Sequence, residues 1–267
     1  MNIHKTAVIG SKADLASDVE VGPYTVIEDN VKVGRGSKIM AHAHLCSGAE
    51  IGEHCEIHMG AVIGHTPQIL GFDKSIKSGV IIGKRNIFRE YVSVHRSSKA
   101  GGKTIIGDDN YFMGFSHVAH DCIIANNIIV CNNSLLAGHV EVEDRVFIAG
   151  SCGVHQLAKI GKLAMIGGLS RVSKDVPPYM ILENDSVIVS YNLVGLRRAG
   201  YDAAARAKIK WAYKVLYKEG HSVSHALKLL EAEKHKDIKY LIDFIKASKR
   251  GICRHKSQNV QTYGTQE

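Results

Sequence analysis

A six-residue period dominates the first two-thirds of this 267-residue chain. From Ile9 onward, every sixth residue is aliphatic or Phe, and the phase breaks only after Ile63 and after Val94. Neither the 3.6-residue period of a helix nor the two-residue alternation of an ordinary strand produces this spacing. The repeated positions are Ile9, Leu15, Val21, Ile27, Val33, Ile39, Leu45, Ile51, Ile57, Ile63, Ile82, Phe88, Val94, Ile106, Phe112, Val118, Ile124, Val130, Leu136, Val142, Ile148, Val154, Ile160, Ile166 and Val172. A hexapeptide-repeat β-helix is the architecture that this period predicts.

Each six-residue unit is expected to form a short strand and a turn, and three units close a coil of about 18 residues. The repeated apolar side chain points to the axis and stacks on its equivalent in neighbouring coils. Glycine often follows it, as in Ile51-Gly52, where the chain has to bend sharply or take a positive φ. Asp109 and Asn127 fall at other corners, and both residue types tolerate the left-handed conformation.

Two segments, residues 65–79 and 96–103, interrupt the period. Both are predicted to be loops that leave the coils. Loops on a rigid scaffold often carry binding groups, so these segments are candidates for part of a site.

The repeat fades after Val172 and gives way to helical patterns. Asp202 and Ser222 are predicted N-caps of two helices, with Gly220 ending the first. A third helix has apolar residues at positions i, i+3, i+4 and i+7, namely Ile238, Leu241, Ile242 and Ile245. We therefore divide the chain into a β-helix domain, 1–190, and a helical domain, 191–267, whose polar tail beyond about Ile252 is expected to be disordered.

Composition narrows the location and the partners. No apolar run approaches the ~20 residues of a membrane span, and the N-terminus lacks a signal-like apolar stretch, so a cytoplasmic location is expected. The six cysteines form no Cys-x-x-Cys pair and are expected to be buried, reduced thiols. The net charge of +8 favours acidic partners, such as nucleic acid or a small acidic carrier protein.

The candidate chemistry centres on His117, His120 and Asp121. His139 lies 19 residues after His120, and His155 lies 16 residues after His139. With about 18 residues in a coil, these side chains are predicted to line one edge of the prism. Corner histidines can simply satisfy turn carbonyls, but several in register beside an aspartate indicate a site.

A neutral histidine suits general-base catalysis, and a carboxylate on its second ring nitrogen fixes the tautomer and stabilises the imidazolium. No Ser or Cys lies in a recognisable nucleophile setting. This favours direct transfer of a group to an acceptor over a covalent acyl-enzyme.

The ordered set of motifs resembles the UDP-N-acetylglucosamine O-acyltransferase family of lipid A biosynthesis. The motifs are His-x-x-His-Asp-Cys at 117–122, Ala-Gly-His-Val at 137–140, Val-His-Gln at 154–156, Gly-Gly-x-Ser at 167–170, Asp-Val-Pro-Pro-Tyr at 175–179 and Gly-Leu-Arg-Arg at 195–198. The resemblance covers nearly the whole chain. It implies a left-handed parallel β-helix with a small C-terminal α-helical domain, assembled as a homotrimer with active sites between subunits.

The resemblance also assigns roles. His120 is implied as the general base, Asp121 as its orienting partner, and the Gly138 N–H as the oxyanion donor. The implied substrate-binding residues are His117, His139, His155, Gln156, Gln68, Asn192 and Arg198. The donor is an acyl chain on the phosphopantetheine of acyl carrier protein, the acceptor is a UDP-linked acetamido sugar, and neither a further cofactor nor a metal is expected.

Gly168 occupies the position of the family's acyl-length ruler, where a glycine leaves room for a longer chain. Two positions on the acceptor side depart from the family pattern. Ile69 stands where family members commonly carry Asp, and Val194 stands where Glu is frequent. These departures leave open an amide-forming variant that acts on a 3-amino sugar.

Rival functions remain at this stage. A zinc carbonic anhydrase shares the β-helix, but His117 and His120 are three residues apart, unlike the His-x₄-His pair of that family. A non-catalytic scaffold would suit the basic tail but leaves the His-Asp pair unexplained. The N-acyltransferase that acts later in the same pathway usually has an extra N-terminal domain, whereas the repeat here starts by Ile9.

Overall fold

A computed structural model describes residues 2–255. The strands in chain order are β1 Asn2–Ile3, β2 Val8–Ile9, β3 Asp14–Leu15, β4 Glu20–Val21, β5 Val26–Ile27, β6 Lys32–Val33, β7 Lys38–Ile39, β8 His44–Leu45, β9 Ala49–Ile51, β10 Glu56–Ile57, β11 Val62–His65, β12 Gly79–Ile82, β13 Ile87–Phe88, β14 Ser93–His95, β15 Lys103–Ile106, β16 Tyr111–Phe112, β17 His117–Val118, β18 Ile123–Ile124, β19 Ile129–Val130, β20 Leu135–Leu136, β21 Glu141–Val142, β22 Phe147–Ile148, β23 Gly153–Val154, β24 Lys159–Ile160, β25 Met165–Ile166, β26 Arg171–Val172, β27 Met180–Glu183 and β28 Val187–Tyr191. The helices are α1 Leu193–Arg198, α2 Ala203–Tyr217, α3 Val223–Leu230 and α4 Lys236–Ala247.

Every third strand belongs to the same sheet, so the chain winds around a three-sided prism. Sheet 1 runs β1-β4-β7-β10-β13-β16-β19-β22-β25-β27-β28, sheet 2 runs β2-β5-β8-β11-β14-β17-β20-β23-β26, and sheet 3 runs β3-β6-β9-β12-β15-β18-β21-β24. Pairing is parallel except between β27 and β28. In sheet 2, Val118 pairs with Val94 below and Leu136 above, so the repeated apolar positions stack coil on coil.

The predicted inward positions form the core. Each one from Val21 to Val172 is buried, while Ile9 and Leu15 in the first coil are half-buried. Phe88 and Phe112 stack with ring centroids 4.9 Å apart. Because full burial of such a side chain contributes about 1.5–3 kcal/mol, the axial column is the main stabilising feature of the domain.

The glycines that follow the inward positions differ from the expectation. Among the glycines named for this pattern, only Gly64 takes a positive φ (+87°). The others lie where neighbouring coils approach closely. A Cβ on Gly52 would lie 2.4 Å from the Gly83 carbonyl oxygen, so the absent side chain is needed for close approach and not for an unusual φ. The corner residues Asp109 and Asn127 do take positive φ, as predicted.

Both predicted loops leave from one edge of the prism. The first connects β11 to β12 and the second connects β14 to β15, so each joins sheet 2 to sheet 3. We call this corner the loop edge. It continues upward through residues 119–122, 137–140 and 155–158, which join the same two sheets in the next three coils.

The helical region follows the prediction closely. Asp202 caps α2 and Ser222 caps α3, each accepting a bond from a backbone N–H three residues on. α2 ends at Tyr217, and Gly220 takes a φ of +75° soon after. Sequence analysis missed the short helix α1. The predicted domain boundary after residue 190 falls inside β28, which pairs with β27 through Tyr191.

A buried aspartate attaches the helices to the β-helix. Asp237, at the start of α4, accepts hydrogen bonds from the hydroxyls of Tyr179 (2.8 Å) and Tyr201 (3.1 Å). The Lys162 ammonium lies 3.6 Å from the same carboxylate oxygen. Burial and the neighbouring Asp237 carboxylate raise the pKa of Tyr179 far above its ordinary value, so its hydroxyl stays a donor.

The predicted disorder beyond Ile252 is wrong for the first residues of that segment. Ile252 bridges to Asp175, and Arg254 bridges to Val187, so residues 252–254 extend the packed structure. Residues 256–267 lie outside the described part of the chain. Among residues 2–255, none of the helices is both long and apolar enough to cross a membrane.

Candidate active site on the loop edge

The loop edge brings most of the predicted site residues together in three successive coils. His120 and Asp121 form the corner between β17 and β18, and Gly138 and His139 form the corner above. The next corner carries His155 and Gln156. The prediction that these side chains line one edge is confirmed in its geometry, because one coil of regular repeat returns the chain to the same edge.

His120 and Asp121 form a close pair. The His120 Nδ1 atom lies 2.7 Å from Asp121 Oδ2. Asp121 has the left-handed corner conformation (φ 61°), and its backbone N–H donates to Thr104 Oγ1 at 2.8 Å. The carboxylate therefore holds the Nδ1 proton, and His120 Nε2 is left as the basic nitrogen.

Two serines that sequence analysis missed fix the Asp121 carboxylate. The Ser97 hydroxyl donates to Oδ1 at 2.5 Å, and the Ser98 hydroxyl and backbone N–H donate to Oδ2 at 2.6 and 3.1 Å. Burial alone would raise the pKa of Asp121, but the bonds from Ser97, Ser98 and His120 outweigh it and hold that pKa well below its ordinary value. The carboxylate is therefore ionised wherever the protein works.

His139 lies on the other side of the same carboxylate. Its Nε2 atom is 3.7 Å from Asp121 Oδ2, and its ring stands edge-on to that of His120 at 5.2 Å. Burial lowers the pKa of His139, His120 and Lys99 lower it further, and Asp121 opposes the shift. This side chain is thus a neutral donor or acceptor near neutral pH.

Gly138 packs directly against the imidazole of His120. A Cβ at this position would lie 2.6 Å from His120 Cε1 and 2.7 Å from Nε2. Within residues 2–255, the Gly138 N–H donates to no backbone carbonyl. A free N–H beside the basic nitrogen is the arrangement that an oxyanion donor requires.

Replacing Gly138 by alanine is expected to lower kcat by about 100-fold or more, because the imidazole has to move by about 1 Å. Gly150→Ala is a matched control: Gly150 follows an inward residue by two positions as Gly138 does, and its Cβ would meet only Asn132 O at 3.4 Å. Steady-state kinetics of the two variants check this. Equal activity in both would show that the tight contact with His120 has no catalytic consequence.

A groove of about 490 Å³ opens in front of His120 on the outer face of sheet 2. A column of paired outward residues, His117, Leu135, Gly153 and Arg171, runs through it. A Cβ on Gly153 would meet nothing within 4 Å, so packing does not require this glycine, and it keeps the groove open. The groove is lined by Gln68, His95, His117, Ala119, His120, Leu135, Leu136, Ala137, Gly138, Gly153, Val154, His155, Gln156 and Arg171.

Three histidines in this region have defined surroundings. The Ser93 hydroxyl bonds His117 Nδ1 at 2.8 Å, and burial lowers the pKa of His117. His95, missed by sequence analysis, stands edge-on to His117 at 4.6 Å, and burial together with the neighbouring histidines lowers its pKa to about 4. Both rings are therefore neutral hydrogen-bonding groups. The first interrupted segment brings Gln68 to the same groove.

A second groove, of about 530 Å³, lies on the sheet 3 side of the loop edge. Asp121 and His139 line it together with the basic residues Lys99, Lys103, Lys159, Lys249 and Arg250. The His120–Asp121 corner thus separates an apolar and histidine-rich groove from a basic one.

Three predicted residues lie away from these grooves. Asn192 is buried and caps α1: its side-chain oxygen accepts from Gly195 N at 2.8 Å and its amide donates to Leu163 O at 2.8 Å. Arg198 ends α1 and is exposed. Gly168 lies at the corner between sheets 1 and 2, where a Cβ would meet only Gly150 O at 3.6 Å. Their proposed roles in binding and acyl selection stay predictions.

Two groups of described residues have the donor atoms of a metal site within 4.8 Å of one another: His120, Asp121 and His139, and, lower on the loop edge, Glu28, His44 and Cys46. In the first group, Ser97 and Ser98 already bond both carboxylate oxygens. In the second, burial and Glu28 raise the pKa of Cys46 to about 12, which keeps a thiol and not a thiolate.

Comparisons with known proteins agree with this arrangement. A family model described as UDP N-acetylglucosamine O-acyltransferase, domain 2, matches residues 175–253, and one described as bacterial transferase hexapeptide (six repeats) matches residues 30–65. A relative from Thermodesulfovibrio yellowstonii, named acyl-[acyl-carrier-protein]–UDP-N-acetylglucosamine O-acyltransferase, is 43% identical over 256 residues, which is 94% of this chain and 99% of the relative.

Solved structures give the same result. The UDP-N-acetylglucosamine acyltransferase of Francisella novicida superposes with a TM-score of 0.91 at 34% identity over 94% of each chain. The enzyme of the same name from Campylobacter jejuni gives 0.89 at 37% identity, over 96% of this chain and all of that one. The predicted left-handed parallel β-helix with C-terminal helices is confirmed. In sequence, fold and coverage alike, the chain belongs to the UDP-N-acetylglucosamine O-acyltransferase family.

Proposed function

We propose that this enzyme transfers an (R)-3-hydroxyacyl chain from acyl carrier protein to the 3-position of UDP-N-acetylglucosamine, the first step of lipid A biosynthesis. The observation that carries the proposal is the His120–Asp121 pair, with His120 facing the open sheet 2 groove and Gly138 N–H beside it. Relatives that match nearly the whole chain are named for this reaction.

The chemistry follows from the geometry. His120 Nε2 takes the proton of the sugar hydroxyl while that oxygen attacks the thioester carbonyl carbon. The Gly138 N–H donates to the oxyanion that forms. When the C–S bond breaks, the imidazolium returns its proton to the departing thiolate of the carrier. Asp121, ionised throughout, orients the ring and stabilises its charged form.

Transfer is direct because no activated nucleophile is at hand. Cys122, next to the pair, is fully buried and donates from Sγ to Ala137 O at 3.2 Å. Burial and the Asp121 charge raise the pKa of Cys122 to about 12, so its thiol stays protonated. A covalent acyl-enzyme through this residue is therefore disfavoured.

The proposed assembly is a homotrimer with active sites between subunits. The grooves are open on one chain, and large apolar side chains around them face outward. Leu70 at the tip of the first loop is 102% exposed, and Leu135, Leu157 and Leu169 are at least half exposed. Apolar surface of this kind next to a site favours a contact with a neighbouring subunit.

The proposed donor partner is an acidic acyl carrier protein, with phosphopantetheine supplied by that carrier and no resident cofactor. The basic sheet 3 groove adjoins Asp121 and His139. Lysines and arginines of this groove attract an acidic surface and speed its encounter. The carrier would then present its thioester at the loop edge.

Acceptor identity is tested by a transfer assay with UDP-N-acetylglucosamine and its 3-amino analogue against hydroxyacyl carriers of graded length. We expect ester formation with the first acceptor. The amide-forming variant is the second candidate, because Ile69 and Val194 are exposed apolar groups that cannot bond a sugar hydroxyl. Transfer to the 3-amino sugar alone would establish that variant, and transfer to neither would refute the proposed function.

Replacing Gly168 by methionine is expected to shift the preference to shorter acyl chains. If the side chain excludes four methylenes from the groove, the loss is about 3 kcal/mol, or roughly 100-fold in kcat/KM for the longest chain accepted. Shorter chains keep their rates, since a Cβ here meets only Gly150 O at 3.6 Å and strains nothing. An unchanged chain-length profile would remove Gly168 from the ruler position.

A further inference from the structure

Arg96 is a largely buried cation at the start of the second loop, with 9% of its surface exposed. Its guanidinium donates from Nη1 to the carbonyl of Ile76 and to the Ser78 hydroxyl (3.0 Å), and from Nη2 to the Lys74 carbonyl (3.3 Å). It also lies 5.4 Å from the ring centroid of Phe72. All of these partners belong to residues 72–78 of the first loop.

No carboxylate balances this charge. Among residues 2–255, Arg96 forms no ion pair with an acidic side chain. A planar guanidinium is suited to several backbone acceptors at fixed angles, and burial makes each of these bonds costly to lose. The side chain therefore acts as an anchor for the first loop and not as one half of a salt bridge.

The neighbours of Arg96 in the sequence belong to the active site. His95 lines the sheet 2 groove, while Ser97 and Ser98 hold the Asp121 carboxylate. Four consecutive residues thus contact the groove, the first loop and the catalytic pair. Any movement of this segment would be felt at all three places.

Further bonds join the two loops. The Ser78 hydroxyl donates to Ser97 O at 2.6 Å, and Gly101 N donates to Lys77 O at 2.8 Å. At the other end, Arg96 N donates to His65 O at 3.0 Å. The first loop is therefore fixed to the segment that carries the catalytic supports, and it brings Gln68 to the groove wall opposite His120.

We propose that Arg96 is a positioning residue that couples the first loop to the His120–Asp121 pair, so that the loop presents Gln68 to the acceptor sugar at the distance the base requires. The proposal rests on the proposed function, because the sugar is the acceptor in that reaction. Arg96 itself touches neither substrate nor the reacting atoms. Its effect passes through the backbone of residues 74–78.

The test is Arg96→Lys, which keeps the charge and loses the planar fork. We expect KM for the UDP-sugar to rise about 10–100-fold, kcat to change less than about threefold, and KM for the acyl carrier to stay within twofold. Backbone amides of residues 66–78 should exchange with deuterium faster in the variant. Phe72→Ala, a change on the loop side alone, should give the same pattern with a smaller amplitude.

The matched control is Arg85→Lys. Arg85 binds Asp109 through two bonds of 2.6 and 2.7 Å on a different edge of the prism, and its side chain is half exposed. We expect it to leave both KM values and the exchange of 66–78 unchanged. Unchanged acceptor KM and loop exchange in Arg96→Lys would overturn the proposal, as would equal losses for both substrates.

The two levels of inference fail differently. If the wild-type chain transfers acyl groups to neither acceptor, the proposed function fails, yet the exchange experiment still tests the anchor. If transfer occurs and only the loop exchange is insensitive to Arg96→Lys, the anchor fails and the proposed function stands.

Discussion

The His120→Gln variant is expected to lower kcat for acyl transfer by about 10²–10⁴-fold, the range that general acid–base catalysis supplies. Glutamine is similar in size and can still donate to Asp121, so the loss is that of the basic Nε2 atom. The variant keeps the groove and the Gly138 N–H, so KM for both substrates should change little. Steady-state kinetics with each substrate varied in turn measure both quantities.

His44→Gln is the matched control for that experiment. His44 also pairs with a carboxylate, its Nε2 lying 2.9 Å from Glu28 Oε1, but it lies in β8 and outside both grooves. We expect it to keep full activity. A His120→Gln enzyme that retains more than about a tenth of wild-type kcat would exclude His120 as the base. Thermal melts of both variants separate loss of chemistry from loss of fold.

The fold could be predicted from sequence because a solenoid is close to one-dimensional. Each inward residue contacts its equivalents one coil away, so the whole core depends on a constant offset that shows as a period of six. Val118, for example, pairs with Leu136 after 18 residues. The helices were predictable for a different reason, namely local capping by Asp202 and Ser222. The short helix α1 has only six residues, too few to show a period.

The same offset explains how far the site could be predicted. His120, His139 and His155 converge because the coils between them are regular. Ser97 and Ser98 were missed because the second loop changes the offset: they reach Asp121 across 24 and 23 residues instead of 18. A hydrogen bond made by an irregular loop depends on the path of that loop, and composition alone does not determine this path.

Asn192 illustrates a further limit. Its sequence position matches a family motif, but within one chain both ends of its amide are engaged, with Leu163 O and Gly195 N. A side chain that caps a helix and one that binds a nucleotide are the same residue type at the same position. Sequence cannot separate the two roles, because the difference lies in which partners reach the amide.

The Asp121→Asn variant is expected to lower kcat by about 100-fold or more while the fold is retained, since an amide cannot hold His120 in the required tautomer. The Asn amide nitrogen can donate to His120 Nδ1, and the proton then moves to Nε2, which ceases to be a base. The amide nitrogen also cannot accept the bonds that Ser97 and Ser98 now donate. The backbone should tolerate the change, because asparagine readily adopts the left-handed φ of 61° found here.

The same substitution has a pH-dependent effect on stability. Because the hydrogen bonds hold the folded pKa of Asp121 well below its ordinary 3.8, the ionised carboxylate stabilises the fold fully above the unfolded value of about 3.9. That contribution is lost as pH falls through the lower, folded pKa. The difference in free energy of unfolding between wild type and Asp121→Asn should therefore be constant near neutral pH and shrink only in strong acid. Denaturant melts at a series of pH values measure it.

Asp109→Asn gives the comparison that isolates the catalytic part. Asp109 occupies the same kind of corner with a φ of 59°, and hydrogen bonds from Arg85 also hold its pKa below the ordinary value. It should show an acid-dependent stability change of the same sign, weaker because the pair is exposed, and normal kcat. If Asp121→Asn also kept normal kcat, the carboxylate would be a structural partner of His120 only, and tautomer control would have no part in the reaction.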